Sequence, residues 1–523
     1  MNRKILILFC IFILSRVLFI NPLPVFFDSP EYLQRLSNPN YFQAIASGHI
    51  PFHIAYITLY WPIFHFFTFL SINPAFAVIF AQVLFSAIAI YCFYCLIEII
   101  ANKKVAFIST IIGISFPLYW ITNVSIMPES TCVNFFLISL FFLASYAKRE
   151  ARLTTFLLIG CIFFGLSLLT HPLVILWLPL VLSLVYFFRK ERITSVFSAI
   201  VLTTVLTILI NGLFVANYLH ISFPSGIHKY LFGEVNIIPD VSSFLMILRF
   251  FRNAFIPVLQ NNTLFILLLT IISLIKIFKI NKKLFIVVIL WIFPFFIVNQ
   301  WFNPLLSGRH AIIAEFGFAF LVAKLLEKKR ELFFITLAYL LVVFLPALAL
   351  LKQPIPYLTE RKFFQTLPKG LLIESHFARP QVEGSYSGKI IFVNQPGWDK
   401  KNLEKSIDSY LSSKKSIFIT SQALSDPYGL YSGPFFLPLS LSYAKKFELG
   451  DVITSYSLKK YATISKDAEL ILYEIMSKKK SQYPNIPILK CNRHQINYFD
   501  PVIQLWFFIE RARIIQIQSI IKE

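Results

Sequence analysis

From its first residues to about residue 351 the chain alternates long apolar runs with short polar links. The runs last roughly 17–25 residues, the length a helix needs at 1.5 Å rise per residue to cross a hydrocarbon layer of roughly 30 Å. Helical spans are predicted near 4–21, 75–100, 105–122, 130–147, 153–169, 172–188, 194–216, 256–275, 284–300, 311–326 and 332–351, about eleven crossings. Stretches such as "TLFILLLTIISLI" do not alternate, which excludes the short strands of a transmembrane barrel. One further run, 52–70, mixes His, Tyr, Trp and Pro into its apolar positions, as an interfacial helix does. The first segment opens like a signal peptide but has no small-residue cleavage site, and is read as an uncleaved span. The pattern changes at "LKQPIPYLTERK". Beyond it "GLLIES", "KIIFVN", "SIFITS" and "ELILYEI" read as short buried strands, and "NLEKSIDSYLSSKK" as an amphipathic helix between two of them. The expected fold is a polytopic α-helical membrane domain, 1–351, followed by a soluble α/β domain, 352–523.

Composition agrees and charge refines the topology. Hydrophobic residues make up 57% of the chain and charged residues only 14%, with a mean hydropathy of +0.70, outside the range of soluble domains. The net charge of +22 could indicate nucleic-acid binding, but the Lys and Arg clusters fall in the short links, at 103–104, 148–152, 189–192, 276–283 and 328–330. Cytoplasmic loops carry such an excess. If 52–70 crossed, every one of these clusters would lie outside; if it lies on the outer face, all are cytoplasmic. The second arrangement gives a cytoplasmic N-terminus in the cell membrane. It sends the first loop, 22–74, the 218–255 loop, 299–310 and everything after about 352 to the extracytoplasmic side. Five of the six cysteines fall in apolar runs, so no disulfide framework is implied.

Ionisable groups kept at a bilayer are costly and are candidates for function. In "FFDSPEYL" Asp28 and Glu31 follow the first span three apart, one helical face, and a solvated helix start is the plain alternative. "GHIPFHIAY" adds His49 and His53, four apart and read as one helical face, with Tyr56 beyond. That spacing suits substrate hydrogen bonds better than zinc, since no third ligand is evident. No cofactor is marked, and a divalent metal ion is left open. Glu129 in "MPES" opens a later span, where a carboxylate also complements the helix dipole. Arg309 and His310, with Lys229 and Arg252, are cationic or basic groups on the outer side; each is an interfacial anchor or a phosphate ligand. Carboxylates that deprotonate a hydroxyl, beside guanidinium that holds a leaving phosphate, are the parts of glycosyl transfer from a phosphate-linked donor.

In order and spacing, "FFDSPEYL", "GHIPFHIAY" and "MPES" resemble the GT-C superfamily of membrane glycosyltransferases, in particular the protein O-mannosyltransferases and the lipid A aminoarabinose transferases, over roughly residues 1–320. The resemblance implies a polyprenyl-phosphate sugar donor in the membrane lipid, inversion at the anomeric centre, and a glycan, lipid or protein hydroxyl as acceptor. It implies Asp28 as catalytic base with Glu31 assisting, Glu129 as the second acidic site residue, and Arg309 on the donor phosphate, Lys229 or Arg252 being the weaker candidates. The chain differs from the mannosyltransferases in carrying Ser29, not an acid, after Asp28. Two rival classes are a flippase of lipid-linked saccharides, which ordinarily carries repeated halves, and an oligosaccharide polymerase or ligase, which carries its key Arg and His in a large late loop.

Overall fold

The structure is a computed structural model that describes residues 3–20, 29–46, 52–148, 154–232, 265–301, 312–351, 356–375, 382, 384–393, 399–425, 449–465 and 470–479. The apolar runs and the segments between them form helices: α1 (Arg3–Val17), α2 (Ser29–Ser37), α3 (Tyr41–Ala46), α4 (Ile54–Phe69), α5 (Pro74–Ile100), α6 (Lys103–Ser115), α7 (Pro117–Asn123), α8 (Pro128–Lys148), α9 (Thr154–Thr170), α10 (Leu178–Phe188), α11 (Ile193–Leu219) and α12 (Phe223–Phe232). A helix α13 over 265–280 and α14 (Lys282–Trp301) follow, then helices Ile312–Leu326 and Arg330–Leu351. The fold is largely helical and membrane-associated. Among the described residues three helices are long and apolar enough to cross a membrane, Pro74–Ile100, Pro128–Lys148 and Lys190–Leu219, against about eleven expected from the pattern.

Local chemistry sets the helix ends. Asn73 caps α5 by accepting from the Phe76 N–H, with Pro74 in the first turn, and Asn102 caps α6 through the Lys104 and Val105 amides. The span expected at 105–122 is two helices. Pro117 has no N–H to continue the ladder and holds Phe116 extended (φ −66°, ψ 130°). Arg16 donates to the Ile114 carbonyl orphaned at that break, its guanidinium 3.8 Å from the Trp120 ring centroid. At the other end of the bundle Arg192 donates to the Tyr146 carbonyl near the C-terminus of α8, where the helix dipole is negative.

α8 is the central helix, 83% of its apolar window being buried, whereas the window of Lys190–Leu219 is 17% buried and shows Leu202, Leu206 and Leu213 on its outer face. Small residues allow close packing. α9 approaches α8 at Gly160, whose carbonyl accepts from Ser139 Oγ at 2.7 Å. α12 lies on α11 at Gly226, where a Cβ would stand 2.5 Å from the Gly212 carbonyl oxygen and 2.8 Å from Ala216 N. Gly226→Val is therefore expected to cost about 1–3 kcal/mol and to lower the thermal midpoint in detergent, while the same change at Gly384, which has open space but a φ of +74°, acts only through backbone strain.

The C-terminal region holds a five-stranded sheet in the order β2-β1-β3-β5-β4, from β1 (Gly370–Ser375), β2 (Lys389–Val393), β3 (Ser416–Thr420), β4 (Tyr456–Ser465) and β5 (Leu470–Lys478). β1 pairs parallel with β2 and β3, and helix Lys400–Ser412 provides the crossover between β2 and β3. All four predicted strands and that helix form. β4 was not predicted. It is an edge strand whose apolar alternation is broken by Lys459 and Lys460, residues that also protect an edge.

Candidate active site

The site is assembled on a polar scaffold inside the helices. Gln82 Nε2 on α5 gathers the carbonyls of Thr122, Asn123 and Ser125 at 2.7, 3.3 and 3.1 Å. Ser130 Oγ donates to the Thr122 carbonyl, and Tyr119 donates to Asn134 Oδ1 at 2.9 Å, whose amide in turn donates to Ser86 Oγ at 2.7 Å. Buried polar groups must be paired, so these bonds fix the turn between α7 and α8. That turn ends in Met127, Pro128 and Glu129, and Glu129 is 4% exposed in the first turn of α8.

The first loop meets this turn. Ser29 Oγ at the start of α2 donates to Met127 Sδ at 3.4 Å, two residues before Glu129. Tyr56, fully buried on α4, is an electrostatic neighbour of Glu129, and Tyr60 one turn on shares a hydrogen bond with Thr131 Oγ1 at 3.2 Å. Tyr32 on α2 sets its ring edge-on to Tyr56 (5.7 Å between centroids) and to His53 (5.3 Å). His53 Nδ1 lies 2.6 Å from the Thr170 carbonyl at the end of α9, and its ring is 5.8 Å from that of His171. A carbonyl only accepts, so Nδ1 is the protonated nitrogen that donates to it. The cluster thus joins α2, α4, α8 and the α9 terminus, with acid, imidazole and phenol groups on these elements: the parts for accepting a proton and for hydrogen-bonding a polyhydroxylated substrate.

Of the residues singled out in the sequence, Glu129, His53 and Tyr56 are brought together here. Glu31 lies in the first turn of α2, 3.7 Å from Arg35. His53 is the left-handed residue (φ 48°) that precedes α4, and His49, the other half of that spacing, lies outside the described residues. Lys229 lies on α12, its side chain outside the described set. Asp28, His49, Arg252, Arg309 and His310 lie outside the described residues, Asp28 one residue before Ser29. Among the described residues no three His, Cys, Asp or Glu side chains converge as metal ligands.

Sequence reasoning passed over Tyr32, Arg35, Tyr60 and His171, all buried or nearly so, and two ionisable groups within apolar helices. Arg16 and Glu315, 1% and 0% exposed, both stand beside Tyr119. Their signal was available, since each is an ionisable residue in an apolar run. His171 had only the His-Pro break in "LLTHPLV" to mark it.

One family model matches part of the chain, and solved structures of two membrane proteins resemble its fold. Residues 57–213 match the dolichyl-phosphate-mannose-protein mannosyltransferase family. ArnT from Cupriavidus metallidurans is similar in fold: its structure bound to undecaprenyl phosphate matches over 90% of this chain and 97% of that chain, with 11% identity and a TM-score of 0.51. The apo structure of the same protein matches over 91% and 99%, with 10% identity and a TM-score of 0.50. The apo oligosaccharyltransferase of Archaeoglobus fulgidus matches over 93% of this chain and 76% of that chain, with 12% identity and a TM-score of 0.48. No curated protein matches by sequence.

Proposed function

We propose that the protein is an inverting glycosyltransferase that moves a sugar from a polyprenyl-phosphate carrier to a hydroxyl acceptor on the extracytoplasmic face of the cell membrane. In this reading the chain crosses about eleven times from a cytoplasmic N-terminus, 1–351 is the membrane domain, and 352–523 is the extracytoplasmic α/β domain. The observation that carries the proposal is the meeting of the first loop with the start of α8, through Ser29 and Met127, and through Tyr56 and Glu129. Support also comes from the mannosyltransferase family match and from the fold of ArnT, a protein whose structure is described bound to undecaprenyl phosphate.

Asp28 removes the proton of the acceptor hydroxyl as its oxygen attacks the anomeric carbon. The bond from that carbon to the phosphate oxygen breaks, and the polyprenyl phosphate leaves with the electron pair against Arg309. Glu129, His53 and Tyr56 bind and orient the sugar hydroxyls. Purified protein in lipid nanodiscs, given a polyprenyl-phosphate sugar and a hydroxyl acceptor, is expected to release free polyprenyl phosphate in step with a new glycoside. A flippase releases none, so donor that stays intact while crossing the bilayer would end the transferase reading.

A further inference from the structure

We infer that Arg35 is a positioning residue that holds His53 and Tyr32 in place beside Tyr56, the neighbour of Glu129. The inference rests on the transferase reading above. Arg35, on α2, is 1% exposed, and a guanidinium buried this far is tolerated only when its donors are used. Its Nε donates to the Ala44 carbonyl at 3.0 Å and its Nη2 to the Ile45 carbonyl at 2.9 Å and to the Phe52 carbonyl. Ala44 and Ile45 lie at the C-terminal end of α3, where helix carbonyls lack intrahelical partners and the dipole favours a cation. Phe52 is the residue before His53. One planar cation therefore ties the end of α3 to the start of α4, with Glu31 supplying counter-charge at 3.7 Å.

What the tie holds is a strained backbone. Phe52 and His53 have φ of 59° and 48°, a left-handed conformation that is unfavourable for a residue bearing a side chain and persists only where its surroundings enforce it. That conformation aims the imidazole at Thr170 and His171 instead of along α4. The same guanidinium lies 5.7 Å from the Tyr32 ring, which borders both His53 and Tyr56. Arg35 thus contacts the Tyr32 ring and the backbone carbonyl that precedes His53.

The test compares Arg35→Ala and Arg35→Lys with the wild-type protein in the nanodisc assay, reading kcat and KM for the donor separately, with and without added guanidinium chloride at low millimolar concentration. The expected result is a fall in kcat of about 10–100-fold with KM changed less than about 3-fold, because a site group displaced by about 1 Å costs rate. Added guanidinium restores at least part of the rate to the Ala variant. Lys, a point charge that cannot serve three carbonyls, is not restored and stays impaired. Wild-type kcat in the Ala variant overturns the inference. So does a loss of thermal stability in both variants with no rescue and with kcat per folded molecule, counted by active-fraction titration, equal to that of the wild type, the pattern of a residue that only folds the loop. A wild-type protein that releases no polyprenyl phosphate overturns the transferase reading itself, and the Arg35 inference with it.

Discussion

Asp28→Asn is expected to yield a protein that inserts and folds as the wild type does and transfers no sugar, a loss of roughly 10²–10⁴-fold or more. Asn matches Asp in size and keeps a hydrogen-bonding oxygen, but it cannot accept the acceptor's proton. Asp28 adjoins Ser29 in the chain, and the Ser29 hydroxyl contacts Met127, two residues before Glu129. Membranes carrying the variant, supplied with lipid-linked sugar, measure the effect through incorporation into acceptor. Full transfer by Asp28→Asn would remove Asp28 from the role of base and leave Glu129 to be tested in the same way.

Glu374→Gln is expected to stabilise the C-terminal sheet at neutral and alkaline pH. Glu374 on β1 and Glu360 on helix Pro356–Phe364 are both fully buried, and each carboxyl is pushed up by loss of hydration. Glu374 Oε1 accepts from Thr420 Oγ1 at 2.7 Å and from the Ser375 amide at 2.6 Å, which oppose the rise, and its carboxyl is still pushed up to about 8. The nearby negative charge of Glu374 raises Glu360 further, while Arg361 and Lys362 on the same helix are exposed and well hydrated. Below about pH 4.5 the folded and unfolded chains are both protonated and the pair costs nothing. Between that value and about 8 the unfolded chain ionises while the folded one keeps its proton, so stability falls as pH rises. Gln keeps the acceptor oxygen and removes the titration. The expected gain is about 2–4 kcal/mol at pH 8, shrinking to nothing near pH 4. Hydrogen exchange at β1 in the full-length protein reads it, and identical pH dependence in the two proteins would rule the buried pair out as the cause.

The long apolar helices and four of the five strands were legible in the sequence because hydropathy period and turn chemistry are local, whereas the short helices α2, α3 and α12 carry too few apolar positions to announce themselves. The Pro117 break was legible too in principle, since a proline cannot continue a ladder in any context, though the apolar run hid it. β4 was hidden because its lysines serve the edge and spoil the alternation. Of the site, the sequence supplied the acids and His53, residue types that are expensive near lipid and so stand out. It gave no sign of the left-handed backbone at His53, where the Phe52 carbonyl accepts from Arg35, because a backbone conformation of that kind carries no hydropathy pattern.

By itself the sequence determined that this is a helical membrane protein with an α/β region after it, and which ionisable residues are candidates for chemistry. The tertiary structure decided which of them meet. Tyr56 and Glu129, or His53 and Thr170, are far apart along the chain, and their approach is set by how α4 and α9 pack on α8 and by polar bonds such as Gln82 to the 122–125 turn. Periodicity records which face of a helix is apolar, but the partner that covers that face follows from the packing of all the helices at once, and no local pattern carries it.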